Sequence, residues 1–178
     1  MTGTAEQTVT ERARCIRLLA LDVDGVLTDG RIYYGASQEE LKAFNIKDGL
    51  GIKLLQRDGI IVAIITGRSS AMVDRRATEL GIEHVVQGRE DKLTALKELC
   101  GQLNIALSEC AYMGDDLPDL SAIAAAGLGL TVADANTSVV DQAHWQSNLC
   151  GGDGAVREAC DFILSCRGSL GKLEQDFR

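Results

Sequence analysis

Short apolar runs alternate with helical patterns along nearly the whole chain. Residues 16–21 read as a buried strand that ends in the carboxylates Asp22 and Asp24. Residues 60–65 are consecutive apolar positions, mostly β-branched, and end at Thr66-Gly67-Arg68. A shorter run spans 84–86, where His84 reads as a strand residue near the sheet end; 110–113 lead into Gly114-Asp115-Asp116, and 128–132 lead towards Asp134. Continuous rather than alternating hydrophobicity predicts strands covered on both faces, as in a parallel sheet. Helix signals fill the intervals. Ser69 is placed to cap a helix carrying Val73, Ala77 and Leu80, with Gly81 behind it. Asp91 is placed to cap one carrying Leu93, Leu96, Cys100 and Leu103, and Asp116 one carrying Leu120 and Ile123, with Pro118 in its first turn. Val156, Ala159, Cys160 and Ile163 mark a last helix behind the glycine cluster at 151–154. The alternation predicts an α/β fold, a doubly wound and mainly parallel sheet whose chemistry gathers at the carboxyl ends of its strands.

One segment breaks the rhythm. Arg31-Ile32-Tyr33-Tyr34 and Leu41-Lys42-Ala43-Phe44-Asn45 flank Gly35-Ala36-Ser37-Gln38, which predicts an inserted β-hairpin over about 31–45, and a helix over 48–57 follows. A length of 178 residues suits one domain. It is read as a domain at 15–167 between a polar N-terminal segment at 1–14 and a polar, flexible tail at 168–178. Twenty-six acidic side chains against 18 basic ones, a net charge of −8, argue against sequence-independent binding to nucleic acid. No apolar signal core precedes the first strand, and no run is long enough to span a bilayer. Six cysteines without a C-x-x-C pair then read as reduced thiols in a cytoplasmic protein, not as a disulfide framework.

The strand ends carry the candidate chemistry. Asp22 and Asp24 form a carboxylate pair that a turn at Asp24-Gly25 can splay, so that one attacks while the other handles protons. The Thr66 hydroxyl can donate to a phosphoryl oxygen beside a helix N-terminus, and Lys92 supplies a fixed positive charge. Asp115, Asp116 and Asp119 are dense enough to need a divalent cation. Singly, these residues also read as an Asp-Gly turn, a strand terminator, a solvated lysine and helix caps. Their common placement at carboxyl ends, or at the adjoining helix starts, favours the chemical reading.

Asp22-Val23-Asp24-Gly25-Val26, Thr66-Gly67, Lys92 and Gly114-Asp115-Asp116-x-x-Asp119 stand in the order that marks the haloacid dehalogenase (HAD) superfamily of aspartate-nucleophile phosphatases, which the chain resembles from about residue 16 to 164. Residues 41–49, 63–68, 87–88 and 154–158 look like a cap-less subclass that releases phosphate from an eight-carbon sugar acid during lipopolysaccharide synthesis. The resemblance implies Asp22 as a nucleophile forming an aspartyl-phosphate, and Asp24 as the acid and base. It implies Mg²⁺ held by Asp22, the Asp24 carbonyl and Asp115, oriented by Asp116 and Asp119. Thr66 and Lys92 would neutralise the phosphoryl oxygens. Substrate contacts are implied for Asp24, Asn45, Ile46, Lys47, Asp48, Gly49, Lys53, Gly67, Arg68, Arg76 and Lys92. Family members often carry Arg where this chain has Lys53 and Asp153.

Spacing adds an independent reading. Only 43 residues separate Asp22 from Thr66 and 25 separate Thr66 from Lys92, so neither interval holds a cap domain. A site left open to water, and an apolar hairpin with no partner sheet, predict closure by oligomerisation. The resemblance makes this a homotetramer in which a neighbour's hairpin covers each site. Rival readings are a phosphatase of nine-carbon sugar-acid 9-phosphates, a receiver-type signalling domain and a catalytically silent module. Asp24 argues against the receiver, because it provides the means to shed the phosphoryl group.

Overall fold

In chain order, the computed structural model, which describes residues 7–34 and 40–177, has these elements: α1 (Val9–Arg14), β1 (Leu18–Leu21), β2 (Tyr33–Tyr34), β3 (Glu40–Leu41), α2 (Ile46–Arg57), β4 (Ile61–Ile65), α3 (Ala71–Leu80), β5 (His84–Val86), α4 (Lys92–Leu103), β6 (Cys110–Gly114), α5 (Leu120–Ala125), β7 (Leu128–Thr131), α6 (Thr137–Val140), β8 (Trp145–Gln146), α7 (Ala155–Arg167) and α8 (Leu170–Gln175). Six strands form one sheet in the order β5-β4-β1-β6-β7-β8. Every pairing in it is parallel. The doubly wound reading is therefore borne out.

β1 sits at the centre because all of its residues are apolar and buried. Its side chains alternate between two cores. Leu19 and Leu21 pack with Leu55, Ile64, Val156 and Ile163 beneath α2 and α7, whereas Leu18 and Ala20 pack with Leu96, Tyr112 and Ile123 beneath α4 and α5. Where α2 crosses α7, Gly51 lets the backbones approach, since a β-carbon there would press on Arg157 and Cys160.

The helix starts differ in detail from the sequence reading. Asn45 caps α2, its Oδ1 accepting from the Lys47 N–H at 2.9 Å, so the helix begins two residues earlier than expected. Ser70, not Ser69, is the N-cap of α3, and its N–H is taken by Gln87 Oε1 at 2.7 Å. Within the polar N-terminal segment, Thr8 and Glu11 form a reciprocal capping box that starts α1. In the segment read as a tail, α8 forms and sets Leu170 and Leu173 against the core. β8 was not anticipated, because it is two residues long.

β2 and β3 pair antiparallel as their own two-stranded sheet, Tyr33 opposite Leu41. The expected turn at residues 35–38 lies outside the described residues. All six cysteines are free, with Cys100, Cys110 and Cys160 buried. Among the described residues no helix is long and apolar enough to cross a membrane.

Candidate active site

The carboxyl end of the sheet opens into a pocket of about 440 Å³ lined by Asp22, Asp24, Thr66, Lys92 and Asp115, among others. Gly67, Arg68, Asp116 and Asp119 also line it. The strands place these residues directly. Asp22 follows β1, where its N–H donates to the Met113 carbonyl of β6 at 3.0 Å. The chain then wraps around the Val23 carbonyl, which accepts from the N–H groups of Val26, Leu27 and Thr28. Gly25 makes that turn at φ +89°, and a β-carbon there would collide with the Asp115 carboxylate. Gly151 backs the same turn so closely that a β-carbon would overlap the Gly25 carbonyl. The glycine cluster thus buttresses the loop after β1.

Lys92 binds two carboxylates at once. Its Nζ lies 2.6 Å from Asp22 Oδ2 and 2.6 Å from Asp119 Oδ1. Burial opposes its charge, but Asp22 and Asp119 outweigh that and raise its pKa. Asp119 is saturated by protein donors. Its Oδ1 also accepts from the Tyr112 hydroxyl at 2.8 Å, and its Oδ2 accepts from the N–H groups of Asp115 and Asp116 at 3.2 and 3.3 Å.

One oxygen of each of Asp22, Asp115 and Asp119 falls within 4.8 Å of the others. Three negative charges face the single ammonium of Lys92. Burial first, and then the neighbouring carboxylates, push Asp22 up to about 6 and Asp115 up to about 7. Asp22 Oδ1 is buried with no hydrogen-bond partner. A hard divalent cation fits this donor set, because it would satisfy that oxygen and cancel the excess charge. Asp22 and Asp115 are the available ligands. Asp119, with both oxygens occupied, is fitted to orient them.

Seven expected substrate contacts lie outside this pocket. Asn45 is occupied as the cap of α2, and its Nδ2 donates to the Gly152 carbonyl at 3.3 Å. Ile46 and Lys47 are exposed on the first turn of α2. Asp48 is buried, its Oδ1 accepting from the Arg157 N–H at 2.8 Å, and burial pushes it up to about 6. Gly49 is buried against Arg76, which donates to the Asn45 carbonyl at 3.3 Å and covers the Phe44 ring. Lys53 lines a groove at the sheet edge with Glu83 and His84. These contacts were implied by the resemblance; within one chain Asn45, Asp48 and Arg76 tie α2 to its neighbours.

Two participants were not singled out from the sequence. Tyr112 sits in an unbroken apolar strand, which hid its hydroxyl. Lys42, after β3, is ion-paired with Asp24 although it comes from the hairpin. A basic residue two positions before Phe44 carries no signal of that contact.

Residues 84–157 match the family described as haloacid dehalogenase-like hydrolase. The parallel sheet with an acid pair after β1, a threonine after β4, a lysine opening α4 and a carboxylate group after β6 is the corresponding architecture. The 3-deoxy-D-manno-octulosonate 8-phosphate phosphatase KdsC of Yersinia pestis is 48% identical, the alignment covering 94% of this chain and 90% of that protein. A Moraxella catarrhalis phosphatase of the same name, in complex with magnesium, phosphate and KDO, superposes with a TM-score of 0.94 at 49% identity, covering 96% of this chain and 98% of its own. A cobalt-bound octulosonate 8-phosphate phosphatase of Haemophilus influenzae superposes with a TM-score of 0.86 at 41% identity, over 89% and 93% of the two chains. The chain belongs to the 3-deoxy-D-manno-octulosonate 8-phosphate phosphatase family of haloacid dehalogenase-like hydrolases.

Proposed function

We propose that this protein hydrolyses 3-deoxy-D-manno-octulosonate 8-phosphate to the free sugar acid and phosphate, with Mg²⁺, as a step of lipopolysaccharide precursor synthesis in the cytoplasm. The observation that carries the reading is the buried, unpartnered Oδ1 of Asp22 beside Asp115, with Lys92 held 2.6 Å from the other oxygen of Asp22.

An oxygen of Asp22 attacks phosphorus while the bond to the sugar oxygen breaks, giving an aspartyl-phosphate. Asp24 gives its proton to the departing alkoxide. It then takes one from the water that attacks the same phosphorus, and the phosphorus–Asp22 bond breaks to release phosphate and restore the carboxylate. Thr66, just after β4, and Lys92 line the pocket, where they would offset the charge that develops on the phosphoryl oxygens. Asp22, the Asp24 carbonyl and Asp115 would hold Mg²⁺, which would supply positive charge that offsets the repulsion between an anionic carboxylate and an anionic ester. Asp119 fixes Lys92, while Asp116 adds a pocket carboxylate and an N–H to Asp119. Arg68 and Gly67 flank the entrance for the sugar acid.

The assembly is a homotetramer in which a neighbouring hairpin covers each site. Supporting this, the hairpin exposes Tyr34 at 81% and Leu41 at 60%, and Ile46 beside it is 82% exposed. Ile46 and Lys47 are then available to an adjacent subunit's pocket.

The test is phosphate release from the eight-carbon 8-phosphate and from nine-carbon sugar-acid 9-phosphates, each with Mg²⁺ and with chelator. The reading requires chelator-sensitive release with the eight-carbon ester preferred. Preference for a nine-carbon ester would move the substrate, and chelator-insensitive release would remove the metal. Sedimentation of the native protein reads the subunit number.

A further inference from the structure

Asp24 is gripped from the hairpin. Lys42, the first residue after β3, forms an ion pair with Asp24 Oδ1, and its side chain is only 4% exposed. Asp24 lines the pocket and Lys42 does not, and the ion pair between them joins the hairpin to the site. The other carboxylate oxygen, Oδ2, lies 4.0 Å from Nε of the half-exposed Arg68 at the pocket edge.

We propose that Lys42 is a positioning residue for the proton-transfer step: it holds Asp24 Oδ1 so that Oδ2 alone faces the leaving oxygen. This rests on the phosphatase reading above. Breaking an ion pair made by a buried ammonium is costly, which favours the Asp24 orientation that keeps the contact. Since Lys42 follows β3 directly, the placement of the hairpin and the aim of Asp24 are mechanically joined. A hairpin without its lysine would still cover a site but would leave Asp24 free to turn.

The contribution should depend on how much the leaving group needs a proton. A sugar alkoxide needs one, whereas 4-nitrophenolate leaves without it. Lys42→Met and Lys42→Arg are compared with the native enzyme using kcat/KM, which reports the step up to the first phosphoryl transfer, for the sugar-acid phosphate and for 4-nitrophenyl phosphate. Lys42→Met is expected to lose about 10-fold or more beyond its loss on the aryl ester when tested on the sugar ester, within the range general acids supply. Its loss on the sugar ester should lie in kcat rather than KM, and Lys42→Arg, which keeps a cation on Oδ1, should recover part of it. Equal losses on both esters, or no loss on either, would overturn the proposal. If Lys42→Met fails to fold, the Lys42→Arg ratio decides, and a ratio equal to that of the native enzyme at reduced activity on both esters counts against it. Native enzyme inactive on the sugar-acid phosphate would instead sink the phosphatase reading, which separates the two failures.

Discussion

Asp119 shows how one side chain can organise a site without facing the reaction. Lys92, Tyr112 and two backbone N–H groups all donate to it, and it is almost fully buried. The Tyr112 hydroxyl has no other partner among these contacts, so Tyr112→Phe removes a bond to a charged acceptor while keeping the ring. Urea unfolding should show a loss of about 1.5–3 kcal/mol. Asp22→Asn is a sharper change in chemistry and a milder one in shape. It keeps the neighbours of Asp22 but removes the proposed nucleophile, so Mg²⁺-dependent phosphate release should fall by at least about 10³-fold while circular dichroism stays native. Substantial turnover in that variant would take Asp22 out of the attacking role.

At the scale of elements, the loop after β1 is set by contacts that only glycine permits. Gly25 is in the left-handed region and abuts Asp115, so Gly25→Ala strains the backbone and displaces a proposed metal ligand together. The Mg²⁺ concentration for half-maximal activity should rise by about 10-fold or more, since losing part of one ligand's interaction is worth at least about 1.4 kcal/mol. An unchanged Mg²⁺ requirement would mean that Asp115 does not hold the ion. Much of this arrangement was legible beforehand. β1, β4 and β6 are continuous apolar runs, so their ends and the residues Asp22, Thr66 and Asp115 could be placed from order alone. Lys42 could not, because its contact with Asp24 depends on how the hairpin folds back. Arg76 and Lys53, which the resemblance implied as substrate contacts, lie within one chain at the Asn45 carbonyl and at the sheet edge, placements that residue order does not encode. β8 and α8 escaped because a strand of two residues and a helix of six give too short a window for periodicity to register.

For the whole molecule, stability and metal binding are joined through pH. Burial raises Asp22 to about 6, Asp115 to about 7 and Asp48 to about 6, all above the ordinary value of 3.8. Between 3.8 and those values the native state therefore binds more protons than the unfolded chain, and stability falls as pH rises through that window. The benefit is complete below about 4 and gone above about 7. Mg²⁺ at the proposed ligands Asp22 and Asp115 would compete with protons there, so it should raise the melting temperature more at pH 8 than at pH 5. Asp48, buried away from the pocket, keeps its own share of the slope in either case. Thermal unfolding at the two pH values, with Mg²⁺ and with chelator, reads this directly, and equal shifts would contradict it.

β1 parts its side chains between two cores on opposite faces of the sheet, Leu19 and Leu21 to one and Leu18 and Ala20 to the other. Ile123 and Ile163 belong to different cores on opposite sides of the sheet. Ile123→Val and Ile163→Val should each cost about 0.5–1.5 kcal/mol, and the double variant should cost their sum within about 0.5 kcal/mol. The molecule can thus be re-engineered, or can drift, one half at a time, with the reacting groups at the rim answering to neither half alone.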